Sequence, residues 1–429
     1  MRLINLVLSC IGGAIFCVDE AHSATIHVPA DYSTINAALD AASSGDIVEV
    51  APGIYDQYDS RPGWYGDDSV SSLGFLKSGV VLRSSGGADV TTLRMDSTTE
   101  RAVILLGGAG EFDVEGFTFT GTIGELMAVA VGVPFGTPNS LHLQDCVFRD
   151  YAGSYPGTAI HGNWTTLHVQ NCEFSNIDSP GASAAYVNIG SVLLEDSSFE
   201  NCTGGALSAE NSDPLSQVSV KRCSFKSSGN ELYSQGAISI QRAPTLVEDS
   251  YFFRNYAGIL YGCPEGSEDY STLIVRNSTF AETSGSLFIP AICAVANSAE
   301  LTGNTFYGGK ALDYSGALRG GGTLTLERNV VSFSCCDPSV QVAGTVQSGC
   351  NVFWQNSGGN TAGFSLGATD LVADPQFCDA PAQDFTVNAA SPCLPWNNNG
   401  CGQIGAWGLG CGSVSVEPSS WGQIKALYR

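Results

Sequence analysis

The chain has 429 residues, of which 42 are acidic and 18 basic, so its formal net charge at pH 7 is −24. A surface this acidic repels nucleic acid, anionic lipid and anionic polysaccharide at long range, which argues against nucleic acid as a partner. Beyond the N-terminus no stretch approaches the roughly 20 apolar residues of a membrane helix. We therefore expect a mature chain without a transmembrane segment.

The first 23 residues have the layout of a secretory signal peptide. Arg2 supplies the positive charge, residues 3–18 form an apolar run, and residues 21–23 are a cleavage site with small side chains at both ends. We expect residues 1–23 to be removed on export. A lipoprotein signal ending at Cys10 is the alternative, but it would leave a second apolar stretch on the mature protein.

A short amphipathic helix is predicted at the start of the mature chain. Residues 35–42 place apolar side chains at helical spacing. Ser33 or Thr34 precedes them and suits the N-cap position. Such a helix can cover an exposed strand edge, which native proteins protect.

The segment 56–68 is rich in aromatic, acidic and turn-forming residues. Flat aromatic faces beside carboxylates suit the binding of sugars. The candidate carbohydrate-binding residues are Tyr58, Trp64, Tyr65, Asp67 and Asp68. The alternative is a loop that packs against the flank of the fold.

A short phrase recurs along the chain and ends each time on an aromatic or aliphatic anchor residue. The anchors lie roughly 26 residues apart and are Phe119, Phe148, Phe174, Phe199, Phe225, Phe252, Phe280, Phe306, Val331 and Phe353. From Phe148 to Val331, the residue five positions before the anchor is always aliphatic, and the residue seven positions before it is mostly apolar. This alternation predicts a strand with one buried face.

The positions just before the anchor predict a bend. Three residues before it, the column holds mainly Asn, Asp or Gly, which tolerate a left-handed backbone: Asp145, Asn171, Asp196, Arg222, Asp249, Asn277, Gly303 and Arg328. Two residues before it, the side chains are small, polar or thiols, which suits a tight interior: Cys146, Cys172, Ser197, Cys223, Ser250, Ser278, Asn304 and Asn329. A glycine-led phrase, such as residues 204–207, marks another strand in the repeat.

Stacked coils of about 26 residues account for this pattern. The repeats lack the periodicity of helices, which disfavours a helical repeat protein, and a propeller blade needs about 40 to 50 residues. We predict an all-β, right-handed parallel β-helix of about 12 coils over residues 24–376, with like side chains stacked at roughly 4.8 Å. The Cys-rich stretch 377–412 is expected to form its C-terminal cap. Residues 413–429 form a basic, aromatic tail that is either a sorting signal or a frayed terminus.

Of the 15 cysteines, Cys10 and Cys17 precede residue 24, which leaves 13, an odd number. At least one thiol is therefore unpaired or pairs with another molecule. Export allows disulfides, and the lack of Cys-x-x-Cys pairs disfavours a zinc cluster. The disulfide candidates are Cys336, Cys350, Cys378, Cys393, Cys401 and Cys411. Our preferred pairs are Cys378 with Cys393 and Cys401 with Cys411, although spacing does not determine connectivity.

The run from Ile26 to Ala42, followed by Gly45 to Tyr55, resembles the opening of secreted bacterial β-helix proteins with the pectin-lyase-like fold. Residues 79–87 are similar to the second coil of that family. Residues 374–406 resemble a closing segment in related bacterial proteins. The resemblance covers nearly the whole mature chain and implies the fold, but one fold hosts many functions.

Members of that fold class include pectate lyases, polygalacturonases, pectin methylesterases and surface adhesins. The Asn-Thr-Asp, Gly-His-Gly and Arg-Ile-Lys signatures of its glycoside hydrolases are absent, as is the aspartate-pair motif of its esterases. A calcium-dependent lyase needs clustered carboxylates and a base, whereas the acidic residues here are spread along the chain. We therefore assign no catalytic residue and expect no cofactor, since no ligand set supports calcium.

One outward column carries two histidines. His142 and His168 hold equivalent positions on neighbouring coils, about 5 Å apart by the strand spacing, which suits metal binding or proton transfer. The next residue in the column is Leu193, so no third ligand is evident and a solvated pair is the simpler interpretation. His161 lies near a glycine turn and carries no signal by itself.

These observations predict an exported, monomeric protein that is secreted or displayed at the cell surface. Its expected role is carbohydrate binding, adhesion or structure, with a polysaccharide or a cell-surface glycan as partner. The alternative is a polysaccharide-degrading lyase or glycoside hydrolase. Three or more carboxylates that converge with Arg, Lys or His in one groove would favour the enzyme, and scattered acids would favour binding.

Overall fold

A computed structural model describes residues 23–61, 70–95, 102–122, 129–132, 138–152, 158–178, 183–210, 215–230, 235–262, 271–283, 291–315 and 317–412. The expected tail and all but residue 23 of the expected signal peptide lie outside these ranges. In the described part, the chain winds through stacked coils whose short strands form three faces, and equivalent strands of successive coils pair in parallel.

The first face contains the aliphatic columns of the repeat. Its strands are Thr25–Val28, Ile47–Val50, Val81–Ser84, Gly110–Glu115, Asn139–Gln144, Thr165–Gln170, Val192–Glu195, Val218–Lys221, Thr245–Glu248 and Thr272–Arg276. Three longer strands begin on the third face and continue onto the first: Ile292–Thr302, Leu318–Glu327 and Val340–Gly349.

The second face carries the anchor residues in a 13-stranded parallel sheet, which agrees with the predicted number of coils. Its strands are Gly53–Tyr55, Thr91–Met95, Thr118–Thr122, Val147–Ala152, Glu173–Asp178, Ser198–Cys202, Ser224–Lys226, Tyr251–Phe253, Thr279–Ala281, Thr305–Tyr307, Val330–Ser332, Val352–Trp354 and Leu371–Val372.

The third face contains the strands that the glycine-led phrase predicted. They are Val70–Leu76, Ala102–Leu106, Val129–Gly132, Ile160–Asn163, Ala185–Asn188, Leu207–Glu210, Ile238–Gln241, Ile259–Tyr261 and Thr361–Ala362, with Asp59–Arg61 paired antiparallel to the first of them. Outside the three faces, Lys310–Ser315 pairs with Cys335–Asp337.

The anchor side chains form a continuous stack inside the coils. From Phe119 to Phe306, successive rings lie 4.4 to 5.2 Å apart between centroids, and their planes differ by at most 14°. Val331 and Phe353 continue the column in register and are buried. Each such aromatic pair contributes about 0.5–1.5 kcal/mol beyond the burial of its area. The predicted register of the repeat is therefore confirmed.

The chain turns from the first to the second face at the predicted left-handed positions. In the column from Asp145 to Arg328, φ lies between 50° and 69° at every residue. A second left-handed bend, which the sequence reading missed, follows each anchor by two residues. Its members are Asp150, Asn176, Asn201, Ser227, Arg254, Glu282, Gly308, Phe333 and Gln355.

A hydrogen-bonded ladder lies inside the first bend. It is formed by the residues two positions before each anchor. Their side chains accept a hydrogen bond from the backbone N–H of the equivalent residue one coil earlier, as Asn329 does from Asn304 at 3.0 Å and Asn351 does from Asn329 at 2.9 Å. Cys172 N–H likewise donates to Ser197 Oγ at 3.1 Å. The ladder ends at Asp370, whose carboxylate accepts from Asn351 N–H at 2.9 Å. The ladder satisfies backbone groups that have left the sheet at the bend.

The predicted N-terminal helix is present as α1, Ile35–Ala41, with Thr34 as its N-cap. Its apolar side chains are buried against the first coils. Asn36 is buried too, and its amide donates to Ser72 O at 2.8 Å and accepts from Phe75 N at 2.9 Å. The helix therefore docks on the third-face strand Val70–Leu76 through both apolar and polar contacts.

The Cys-rich segment packs against the outer side of the second face over the last coils. It comprises the strands Phe377–Asp379, Asp384–Asn388 and Leu409–Cys411 and the short 3-10 helices Ala380–Ala382 and Pro395–Asn397. Phe377 and Phe385 contact Tyr307, and Trp407 donates to Thr279 Oγ1 at 2.7 Å. At the end of the stack, Phe364 and Leu366 pack against the core. The Cys-rich segment thus covers the apolar side chains that point outward from the second face in these coils.

Two disulfides hold this segment, Cys350–Cys401 and Cys378–Cys411. Our preferred pairs, Cys378 with Cys393 and Cys401 with Cys411, are therefore wrong. Cys393 is a buried free thiol, and burial raises its pKa to about 12. The error arose because the fold brings the bend residue Cys350 beside Cys401, with a Cα–Cα distance of 5.5 Å across 51 residues. The side chain of Cys336 lies outside the described part.

Candidate functional site

The outward column on the first face begins one coil earlier than the sequence indicated. Strand register places Asp113 beside His142, His142 beside His168, and His168 beside Leu193. Alternate residues of these strands point inward, so the buried Leu141 turns its neighbour His142 outward. An acid and two imidazoles thus lie in line on three successive coils.

The imidazoles in this line contact one another and an acid at each end. His142 Nδ1 lies 3.2 Å from Asp113 Oδ1, and its Nε2 lies 3.2 Å from Ser140 Oγ. The two histidine rings meet edge to face with centroids 5.4 Å apart, as the column spacing predicted. His168 Nε2 lies 3.7 Å from Glu195 Oε2, beyond hydrogen-bond distance. We call Asp113, His142, His168 and Glu195 the acid–histidine row.

A shallow groove of about 90 Å³ lies along the row. Its lining residues are Asp113, Glu115, His142, Leu143, Gln144, His168 and Gln170. Two carboxylates and two imidazoles therefore converge in it, and Glu195 adjoins it. Pockets that enclose a small ligand measure roughly 300 Å³ or more. This groove is therefore suited to contact part of a ligand that lies across the open face.

Sequence reasoning found the two histidines but missed both acids. Leu193 follows in the column, so the pair seemed to lack a further partner. The alternation of Leu141-His142-Leu143 is repeated in Phe112-Asp113-Val114. Aligning the two segments would have placed Asp113 in the histidine column. Glu195 was missed because it stands in the next outward column, two residues beyond Leu193.

The described residues contain no group of three or more His, Cys, Asp or Glu side chains with the geometry of a metal site. Asp113 and Glu195 lie at opposite ends of the row, so the four side chains do not surround a common point. The row can accept and donate hydrogen bonds and can hold a proton on an imidazole beside a carboxylate.

The neighbouring outward column continues the polar surface with charges of both signs. In this column Arg83 contacts Glu49 at 2.8 Å and Arg276 contacts Glu248 at 3.9 Å. Arg276 also contacts Glu300, which lies farther along the histidine column, at 3.0 Å. These pairs join adjacent coils at half-exposed positions, where ion pairs contribute little stability. The proximity of Arg276 and Glu248 is therefore part of a structural ladder.

Of the five candidate sugar-binding residues in the segment 56–68, Tyr58 lies within the described residues. Its hydroxyl donates to Arg94 O at 3.0 Å, and its ring packs against the core. The other four candidates, Trp64, Tyr65, Asp67 and Asp68, lie outside the described residues. Tyr58 thus packs on the flank of the coils, and a sugar-binding role for the segment stays a prediction.

Residues 157–331 match the family model for the right handed beta helix region, and the predicted right-handed parallel β-helix is confirmed. No curated protein matches the chain. The solved structures it resembles include the PL6 family alginate lyase AlyGC, with 13% identity and a TM-score of 0.40 over 82% of this chain and 53% of that one. Another is the pectin methylesterase from Yersinia enterocolitica, with 12% identity and a TM-score of 0.26 over 80% of this chain and 95% of that one. The chain spans about half the length of the alginate lyase.

Proposed function

We propose that the protein binds an extended polysaccharide along its first face, through the acid–histidine row and the amides beside it. The observation that carries this proposal is the alignment of Asp113, His142 and His168 on three successive coils with a groove along them. Carboxylate, imidazole and amide groups pair with sugar hydroxyls, and their repeat along the rod suits a repeating ligand.

A neutral polysaccharide fits this surface better than an anionic one. The chain has a net charge of −24, and the groove itself is lined by two carboxylates, Asp113 and Glu115. Uronate groups would meet a repulsive field at long range and like charges at contact. The substrates in the names of the similar structures, alginate and pectin, are therefore not the ligands that we propose.

Native affinity electrophoresis tests this proposal, with galactomannan, xyloglucan and mixed-linkage β-glucan as neutral probes and alginate and polygalacturonate as anionic ones. We expect retardation by at least one neutral probe. In the double variant His142→Ala/His168→Ala this affinity should fall by tenfold or more. Ser219→Ala, farther along the same outward column, is the matched control. Retardation that is equal in wild type and double variant contradicts the proposed location, and no retardation by any probe contradicts the function.

Polysaccharide degradation is the second candidate, and a specific observation favours it. Two carboxylates, Asp113 and Glu115, line one groove with two histidines, and a third carboxylate, Glu195, lies beside it. This arrangement approaches the convergence of acids and bases that is expected of an enzyme. A carboxylate 3.2 Å from an imidazole orients its ring, as a general base requires. The same probes should then yield reducing ends or unsaturated products, and Asp113→Asn should reduce that yield more than it reduces binding.

We propose that the protein acts outside the cytoplasm. The disulfides Cys350–Cys401 and Cys378–Cys411 suit an oxidising compartment. Among the described residues no helix has the length and apolarity to span a membrane. Fractionation of expressing cells, followed by N-terminal sequencing of the exported form, tests this location and the cleavage expected after residue 23.

A further inference from the structure

A second group of polar and aromatic side chains lies on the outer side of the third face. Register places His161 beside Tyr186, and it places Asn163, Asn188 and Glu210 in one column on three successive coils. We call these five residues the third-face cluster. None of them belongs to the groove on the first face, and the sequence reading had assigned nothing to His161.

The inner half of this cluster is a fixed hydrogen-bonded support. His161 and Asn163 are 7% and 1% exposed, although both stand at outward positions. Asn188 Nδ2 donates to Asn163 Oδ1 at 3.2 Å, and Asn163 Nδ2 therefore faces His161 Nε2, at 2.8 Å, as a donor.

The outer half of the cluster is accessible and held in position by this support. The ring of Tyr186 stacks on His161 with centroids 5.4 Å apart and planes 13° apart, and its hydroxyl donates to Glu210 Oε2 at 3.2 Å. Tyr186 and Asn188 are half-buried, and Glu210 is exposed. A carboxylate, a phenol and an amide thus lie at the surface on two adjacent coils.

The corner beside this cluster is a left-handed bend, as at the other corners of the coils. Trp164, which directly follows Asn163, has φ of 56°, and Ile189, which directly follows Asn188, has φ of 60°. Bulky and β-branched residues avoid this conformation, so it is the stacking of the coils that holds Trp164 and Ile189 in it. Trp164 is 47% exposed, so much of a large aromatic side chain is accessible directly after the cluster residue Asn163.

We infer that the third-face cluster and Trp164 form a second sugar-binding subsite, which takes one unit of a neutral glycan. Glu210, Asn188 and Tyr186 would pair with its hydroxyls, and Trp164 would stack on the apolar face of its ring. Such sites combine aromatic faces with a few oriented polar groups, and a buried layer that locks the contacting groups improves binding by limiting their motion. The ligand class rests on the proposed glycan-binding function, whereas the residues are independent of the first-face groove.

The test compares two single variants, Trp164→Ala and Glu210→Gln, in affinity electrophoresis with galactomannan, xyloglucan and mixed-linkage β-glucan. Each should weaken the retardation of wild type by at least tenfold. Trp396→Ala removes another exposed tryptophan, and Glu200→Gln makes the same charge change on the second face, so both controls should bind as wild type does. Thermal unfolding of each variant verifies that it is folded at the assay temperature. Trp164→Phe keeps an aromatic face, so it should retain part of the affinity that Trp164→Ala loses.

The outcomes separate this inference from the proposed function. If the first-face double variant loses binding while Trp164→Ala and Glu210→Gln retain it, the subsite is refuted and the proposed function stands. If only the third-face variants lose binding, the subsite stands and the first-face location fails. Wild-type protein that none of the three probes retards refutes both.

Discussion

Arg222 bonds to the carboxylate of Asp196 on the preceding coil with two nearly parallel contacts, Nε to Oδ1 at 2.6 Å and Nη2 to Oδ2 at 2.8 Å. Both residues occupy the left-handed bend that follows the first face. The Arg222 guanidinium lowers the pKa of Asp196 below its ordinary value. The pair therefore links two coils where their backbones have left the sheet, and it does so only while the carboxylate is ionised.

The first prediction concerns the pH dependence of this link. Because the folded-state pKa of Asp196 is lowered, its contribution to stability is complete above about pH 4, the unfolded value. This contribution is lost as the pH falls through the folded-state pKa of Asp196, which lies below the unfolded one. Arg222→Gln should therefore lower the thermal midpoint slightly at pH 7 and leave it unchanged at the acid end of a titration. Arg149→Gln, at an exposed position on the second face, is the control, and a midpoint difference that persists unchanged in acid would contradict the mechanism.

The second prediction concerns the phenylalanine stack. Phe174 is fully buried between Phe148 and Phe199, at ring distances of 4.7 and 4.4 Å. Phe174→Ala should reduce the free energy of unfolding by about 3–5 kcal/mol, because it removes apolar contacts and leaves a cavity. Guanidinium unfolding measures this loss. Ser175→Ala, the next residue and an outward one, should change it by less than about 0.5 kcal/mol, and similar effects from both variants would show that the stack does not hold the coils together.

The third prediction concerns the interior ladder. Asn329 Oδ1 accepts from Asn304 N at 3.0 Å, and its Nδ2 donates to Leu301 O at 2.8 Å. Asn329→Ala leaves buried backbone groups without partners, at a cost of about 1–3 kcal/mol for each. Asn329→Ser keeps an acceptor of the kind that Ser278 and Ser250 supply in the same column, so it should cost less. Equal unfolding free energies for the two variants would contradict the role of the side-chain acceptor.

The fourth prediction concerns the disulfides. Non-reducing peptide mapping should recover the linked pairs Cys350–Cys401 and Cys378–Cys411, with Cys393 unmodified by a thiol reagent at pH 8 until the protein is unfolded. Cys393 resists modification because it is buried and its pKa is raised to about 12. Cys401→Ser should destabilise the protein by about 2–5 kcal/mol. Cys393→Ser is the control that leaves both links intact, and recovery of a Cys378–Cys393 peptide would refute this connectivity.

The sequence by itself determined the coil, its period, its buried columns and its first bend. Each coil contacts mainly its neighbours, so the physical demands on it repeat at a constant spacing. The anchor phenylalanines, the aliphatic columns and the Asn, Asp and Gly residues of the bend therefore recur in a form that can be read without knowing the fold. The capping helix was predicted for a similar reason, because helix capping and amphipathic spacing are local properties.

Only the tertiary structure decided which non-repeating residues meet. Cys350 pairs with Cys401 because the C-terminal segment folds back along the second face, and no repeat records that path. Asp113 reaches His142 because the strand register continues from one coil to the next although 29 positions separate the two residues. Tyr186 and Glu210 meet because their strands stack on the third face. Contacts between residues distant in sequence depend on where the whole chain runs, whereas the columns depend only on the distance from one coil to the next.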